Sequence, residues 1–203
     1  MPLPLTFGSF NSDPDISGNN VAFHSGYGAH TGIYLYVDGN LTKVVDVNDT
    51  EPGGDDKFTT FSIPVISERQ VAFRGVGGTG GIYTGDGGLL SVIVQSGDPT
   101  PDGNTFSGFG QYVAADGTEV AFSASGSGFN GLFVSGRSGI CKVIDTNDSL
   151  DGKDITQLSM GRDSYSSGTL GFMAVFSDGS QGIYLAKPPN RFPGGAMILL
   201  LDD

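Results

Sequence analysis

The chain has 203 residues, 34 glycines and a formal charge of −12, which is long enough for one domain with a buried core. This charge excludes nucleic acid as a favoured partner, because nucleic-acid binding needs basic patches. No apolar run of about 18 residues occurs, so we expect no membrane insertion. The single Cys141 excludes an internal disulfide and a thiolate zinc cluster.

One pattern of predicted strands occurs four times along the chain. Each repeat contains Val-Ala-Phe, or Leu-Gly-Phe in the fourth, and about eleven residues later an anchor of the type Gly-Ile-Tyr or Gly-Leu-Phe. Such short apolar and aromatic runs between Gly, Asp, Asn and Ser are typical of strands. The triplets begin at Val21, Val71, Val120 and Leu170, and the anchors at Gly32, Gly81, Gly131 and Gly182.

Each repeat also opens with a strand-like segment and closes with another apolar one, so it holds four strands. Helical spacing of apolar residues is nearly absent. Four strands in a repeat of about 50 residues are typical of a propeller blade. The sequence therefore predicts an all-β, four-bladed β-propeller in one domain, with blades at residues 7–58, 59–106, 107–156 and 157–203. A larger propeller, a β-sandwich and a solenoid built from the same repeats are the alternatives.

The second and third repeats resemble a family of tandem repeats in exported bacterial proteins. The residues that carry the resemblance are SGDPTPDGNTFSGF at 96–109, GTEVAF at 117–122 and GLF at 131–133. In that family a "GDPAPG…F..F" linker precedes "G.VAF" and "GIF", often ahead of a PEP-CTERM-type sorting signal. The resemblance implies a propeller-like repeat and a secreted or cell-surface protein whose signal peptide is not in this sequence. In size alone the chain is similar to hemopexin-type four-bladed propellers.

Two acidic turns at equivalent places in the first and third repeats are candidate calcium sites. Alternating Asp and Asn oxygens on a tight turn are ligands that calcium prefers. The same side chains also stabilise turns through their own backbone, and the spacing does not fit an EF-hand. Calcium as a cofactor and plain turn chemistry are both open at this point. The candidate ligands are Asp46, Asn48, Asp49, Asp145, Asn147 and Asp148.

Five residues are candidates for ligand binding, and four of them, all but Tyr165, belong to the first strands, which line the axis of a propeller. Tyr112 and Tyr165 lie outside the anchors, so their rings are available to stack on a sugar. The acids and bases that an enzyme at the channel mouth would use are Asp13, Tyr112, Arg162 and Asp163.

One further position varies among the repeats. His24 directly follows the first triplet, and the other repeats have Arg74, Ser123 and Met173 there. This variation predicts an exposed position at a sheet edge or on the surface.

The leading functional prediction is a non-enzymatic, exported binding or scaffold module whose ligand is a glycan or a protein. It follows from a regular repeat in which no nucleophile, base and orienting acid form a recognisable motif. A hydrolase or lyase with its site at the channel mouth is the second reading. A purely structural surface module is the third, and the oligomeric state is open.

Overall fold

The computed structural model describes residues 7–26, 31–188 and 197–200. In these residues the chain is all-β, with four antiparallel sheets, as predicted. No helix that could cross a membrane occurs among them. The chain divides into two compact units, unit 1 (Met1–Val94) and unit 2 (Gln95–Asp203).

Unit 1 carries sheets 1 and 2. Sheet 1 has the order β1-β3-β4-β5, and β2 also pairs with β3. Sheet 2 has the order β10-β9-β8-β6, and β7 also pairs with β8. The strands of sheet 1 are β1 (Ser9–Phe10), β2 (Asp15–Ser17), β3 (Asn20–Gly26), β4 (Gly32–Val37) and β5 (Asn40–Asp46); those of sheet 2 are β6 (Thr60–Phe61), β7 (Val65–Ser67), β8 (Gln70–Val76), β9 (Gly81–Gly85) and β10 (Ser91–Gln95).

Unit 2 carries sheets 3 and 4. Sheet 3 has the order β11-β12-β13-β14. Sheet 4 has the order β15-β16-β18-β19-β20, and β17 also pairs with β18. The strands of sheet 3 are β11 (Phe106–Asp116), β12 (Glu119–Gly126), β13 (Phe129–Gly136) and β14 (Gly139–Asp145); those of sheet 4 are β15 (Ser149–Leu150), β16 (Lys153–Ser159), β17 (Tyr165–Ser166), β18 (Thr169–Phe176), β19 (Gln181–Lys187) and β20 (Met197–Leu200).

A stacked pair of aromatic rings forms the centre of every sheet. The Phe of each triplet lies directly opposite the last residue of each anchor on the neighbouring strand. The ring centroids are 5.7 to 5.9 Å apart and the planes are inclined by 20° to 25°. Offset stacking of this kind contributes about 0.5–1.5 kcal/mol beyond burial. The pairs are Phe23 with Tyr34, Phe73 with Tyr83, Phe122 with Phe133, and Phe172 with Tyr184.

The first strand of every sheet is interrupted at the same place. In sheets 1, 2 and 4 it breaks into two strands that pair with one neighbour, and in sheet 3 the continuous β11 shifts register between Phe109 and Val113. We call the residues between the paired stretches the interruptions. They are residues 11–14, 62–64, 110–112 and 160–164 in sheets 1 to 4.

The two sheets of each unit are joined by equivalent hydrogen bonds. In unit 1 the backbone N–H of Glu68 donates to Ser17 Oγ at 2.8 Å. In unit 2 the backbone N–H of Ser167 donates to Asp116 Oδ2 at 2.6 Å. Glu68 and Ser167 have φ of 56° and 51°, so both occupy the left-handed position of a tight hairpin turn. The same turn therefore attaches the second sheet to the first in both units.

Candidate functional site

The two acidic turns hold their carboxylates against their own backbone. Asp46 Oδ1 accepts the N–H of Asn48 at 2.8 Å, and Asp49 Oδ2 accepts the N–H of Asp46 at 2.8 Å. These bonds satisfy backbone donors that the end of a strand would otherwise leave unpaired. In the turn of unit 2 the same two bonds measure 2.7 and 2.8 Å and involve Asp145, Asn147 and Asp148.

A lysine ammonium lies between the carboxylates of each turn. Lys43 Nζ is 3.3 Å from Asp46 Oδ2 and 2.9 Å from Asp49 Oδ1. A register shift between Ile33 and Tyr34 in the pairing of β4 with β5 places an extra residue directly after this lysine. The lysine therefore belongs to the strand that leads into its own turn.

The turn of unit 2 holds its lysine with one more acid. Lys142 Nζ is 3.3 Å from Asp145 and 3.4 Å from Asp148, and 2.8 Å from Asp102 in the linker before sheet 3. Burial alone would lower the pKa of Lys142, but the hydrogen bond to Asp102 and the other two carboxylates raise it well above its ordinary value. Lys142 is therefore charged at neutral pH, and three carboxylates share that charge.

The Lys43 ammonium affects the pKa of a carboxyl group in its own turn. Burial alone would raise the pKa of Asp46, but the N–H of Asn48 and the Lys43 ammonium lower it below its ordinary value. Among the described residues, no three His, Cys, Asp or Glu side chains form a group that could hold a metal ion. Calcium at these turns stays a prediction, and any ion there would share its oxygens with a lysine.

Four of the five predicted ligand-binding residues lie in the interruptions. Asp13 is exposed in sheet 1, and Arg162 and the exposed Asp163 lie in sheet 4. Tyr112 is 40% exposed in the interruption of sheet 3. Tyr165 is the exception, because its ring is only 4% exposed and its hydroxyl donates to Glu119 Oε2 at 2.6 Å. That hydrogen bond joins sheet 4 to sheet 3 and leaves little of the ring for a ligand.

A cavity of about 430 Å³ in unit 2 was not predicted. It lies where β11, β12 and the start of β13 meet β16 of the next sheet. The walls are glycine backbone, hydroxyl and amide side chains, and a few apolar groups. Its lining residues are Gly108, Phe109, Gly110, Ser123, Ala124, Ser125, Asn130, Gly131, Thr156, Gln157 and Leu158.

Two rings meet at the equivalent place in unit 1. His24 aligns with Ser123, because each directly follows the triplet of its repeat. Phe61 aligns with Leu158, because Phe61 lies three residues after Phe58 and Leu158 lies three residues after Ile155. The ring centroids of His24 and Phe61 are 6.0 Å apart, and the ring planes are nearly perpendicular. His24 is 7% exposed, so the prediction of a surface position is wrong. The position varies because it faces the neighbouring sheet, where different side chains fill different amounts of space.

Glu51 is a buried acid that sequence reasoning missed. It is 2% exposed, and its carboxylate accepts the N–H groups of Thr79 and Gly80 at 2.9 and 3.0 Å. The Tyr83 hydroxyl lies 3.4 Å away. A Cβ on Gly77 would come within 2.6 Å of this carboxylate, which explains the glycine there. The glycine-rich loop 77–80 between β8 and β9 is therefore folded around a structural carboxylate.

Sheet 4 repeats this arrangement with a different acid. The Tyr184 hydroxyl donates to Asp151 Oδ2 at 2.8 Å. Burial, together with Asp151, raises the pKa of Tyr184 to about 12. In both sheets the anchor tyrosine is thus hydrogen-bonded to an acid earlier in the chain, Glu51 before β6 and Asp151 in the turn between β15 and β16. In sheet 3 the anchor is Phe133, which has no hydroxyl, and Thr100 occupies the corresponding part of the linker.

Comparison with known proteins gives one match. A family model described as "Family of unknown function (DUF7453)" matches residues 3–188. No curated protein and no solved structure matches the chain.

Proposed function

We propose that this chain, which belongs to the DUF7453 family of unknown function, is a non-catalytic, exported module that binds a glycan or a protein through loops on a repeated frame. The observation that carries the proposal is the contrast between the frame and the interruptions. The four aromatic pairs have nearly the same geometry, whereas the interruptions differ in length and sequence. Binding residues are commonly found on variable segments held by a rigid scaffold.

The composition of the interruptions supports recognition of a ligand. Tyr112 exposes much of its ring, and tyrosine provides apolar area and a polar group at small entropic cost. Asp13, Arg162 and Asp163 bring charges of both signs to the interruptions of sheets 1 and 4. These side chains are not repeated among the sheets, so the frame does not require them.

The proposal includes the arrangement of the sheets as four blades of a propeller. The equivalent turn bonds at Glu68 and Ser167 support it, because a closed ring needs one docking mode at every step. Small-angle X-ray scattering in solution tests this arrangement. A distance distribution with one compact maximum is expected, and a distribution with two separated maxima would contradict closure.

Export is proposed on the family resemblance of the linker at 96–109. Immunodetection of the native protein in culture supernatant and cell-surface fractions tests this part. Protein found only inside cells would contradict it.

Binding is tested with Tyr112→Ala and a matched control, Tyr36→Ala. Tyr36 is 43% exposed on β4, outside the interruptions, so the two variants remove similar exposed rings. A glycan array and purified cell-surface proteins are the probes. We expect Tyr112→Ala to weaken binding by at least about tenfold, or about 1.4 kcal/mol, and Tyr36→Ala to bind as the parent protein does. Equal losses in both variants, or no ligand in either panel, would overturn the proposal.

A further inference from the structure

We propose that the cavity of unit 2 binds a short, neutral saccharide. The inference rests on the proposed binding function and gives that function a second site with a defined ligand chemistry. The volume of about 430 Å³ lies within the range of roughly 300–1,000 Å³ that is usual for small-molecule pockets.

The polar groups of the cavity suit a ligand rich in hydroxyl groups. Ser123, Ser125 and Gln157 make no side-chain hydrogen bond within the described residues, so their donors and acceptors are available to a ligand. The amide of Asn130 adds both a donor and an acceptor. Thr156 differs, because its hydroxyl already donates to the Val175 carbonyl at 3.0 Å.

The apolar groups of the cavity suit the C–H face of a sugar ring. Phe109 is half-buried, and its ring packs on Phe106 and Phe122 at centroid distances of 5.9 and 6.3 Å. These contacts fix the position of a ring that lines the cavity. Leu158 contributes a second apolar side chain from the next sheet. Mixed apolar and polar walls of this kind are usual for pockets that recognise one orientation of a ligand.

The lack of charged groups in the lining of the cavity disfavours phosphates and carboxylates as ligands. No lining residue is charged, so the cavity offers no ion pair to a phosphate or a carboxylate. The formal charge of −12 also disfavours the approach of an anion. A neutral ligand avoids both difficulties.

The cavity is formed by glycines and by two side chains that are smaller than their counterparts in unit 1. A Cβ on Gly110 would collide with Ser123 Oγ, and one on Gly108 would lie 3.1 Å from Ser125 Oγ. Glycine at these two places leaves room for the two serine hydroxyls beside β11. The cavity exists because Ser123 and Leu158 replace the two rings that meet in unit 1.

The test uses the side chains of unit 1 to fill the cavity of unit 2. The double variant Ser123→His, Leu158→Phe introduces the His24 and Phe61 side chains at the equivalent positions. Ser123→Ala, Gln157→Ala is a second variant that keeps the space and removes polar groups. Ser138→His is the control, because Ser138 is exposed in the turn between β13 and β14 and does not line the cavity.

Binding of cellobiose, maltose, chitobiose and mannobiose is measured by isothermal titration calorimetry, with circular dichroism as the check of folding. We expect at least one disaccharide to bind the parent protein and the control equally. We expect both cavity variants to bind it at least about tenfold more weakly. If the filled variant does not fold, the polar variant decides alone.

Three results would overturn the inference. Undiminished disaccharide binding by the filled variant places the sugar elsewhere. If the protein binds a surface protein but no disaccharide, the proposed binding function is supported and the saccharide site is rejected. Absence of any ligand in both panels removes the proposed function as well.

Discussion

Units 1 and 2 have the same frame but differ at the contact between their two sheets. In unit 1 the rings of His24 and Phe61 meet, whereas in unit 2 Ser123 and Leu158 leave a cavity of about 430 Å³. The stacked aromatic pairs and the turn bonds that join the sheets occupy equivalent places in both units. One contact between sheets in this repeat can therefore hold either two packed rings or a cavity, depending on the side chains at two positions.

We expect Phe61→Ala to cause the largest loss in the free energy of unfolding. Phe61 is 7% exposed and touches His24 and Phe73, so its removal leaves an unfilled space and lowers the free energy of unfolding by about 3–5 kcal/mol. Leu158→Ala is the matched variant in unit 2. It should cost less than about 2 kcal/mol, because Leu158 already borders a cavity. Urea denaturation measures both, and equal losses would show that the two contacts are packed alike.

The lysines of the two acidic turns differ in their number of carboxylate partners and in their solvent exposure. Lys142 meets three carboxylates and its side chain is 24% exposed, whereas Lys43 meets two and its side chain is 43% exposed. Lys142→Met should lower the free energy of unfolding by about 1–2 kcal/mol. Lys43→Met should lower it by less than about 1 kcal/mol, since water screens the ion pairs of the more exposed Lys43. Denaturation at low and high salt measures both. A larger loss for Lys43→Met would contradict this order.

The same variants test calcium at the turns. An ion that binds only the folded state raises the melting temperature. We expect millimolar calcium to raise the melting temperature of chelator-treated Lys142→Met more than that of the parent protein, because the variant leaves Asp102, Asp145 and Asp148 without their ammonium. Lys142→Met, Asp148→Asn is the control and should respond less. No shift in any of the three proteins would remove calcium from these turns.

The smallest effect expected is a pH dependence of unit 1. Burial lowers the pKa of His24 from its ordinary value of 6.5, so the unfolded chain takes up a proton before the folded one does. The stability that neutral His24 contributes is complete above pH 6.5 and is lost as the pH falls through 6.5 towards the lower folded pKa. Denaturation at pH 7.5 and pH 5.5 should show this loss. His24→Met, which introduces the residue of the fourth repeat, should reduce the difference between the two pH values, and an unchanged difference would assign it to other groups.

The frame could be predicted because its signals are local. A triplet and an anchor about eleven residues apart are enough to form a hairpin with Phe23 opposite Tyr34, and the same holds in the other sheets. The turn bonds of Asp46 and Asp49 were open to prediction for the same reason, since the partners lie within three residues of each other.

The cavity and the buried acid could not be predicted, because their partners are far apart in the chain. Glu51 is 28 residues from Thr79, whose N–H it accepts, and no short motif encodes that distance. Variation among the repeats predicts exposure at His24, but the side chain is buried because it faces Phe61 of the neighbouring sheet. Tyr165 was expected to be accessible, and only its contact with Glu119, 46 residues away, shows how it is used. Comparing residue volumes at aligned positions that face a neighbouring sheet would have been the useful signal.

The interruptions have a consequence for protein engineering. They contain four, three, three and five residues in sheets 1 to 4, yet the strands on both sides stay paired with the same neighbour. The fold thus already accommodates chain segments of different length at one topological position. Foreign peptides should be inserted at the exposed residues of an interruption, such as Asp13 and Asp163, because Pro64 and Met160 of the interruptions are buried.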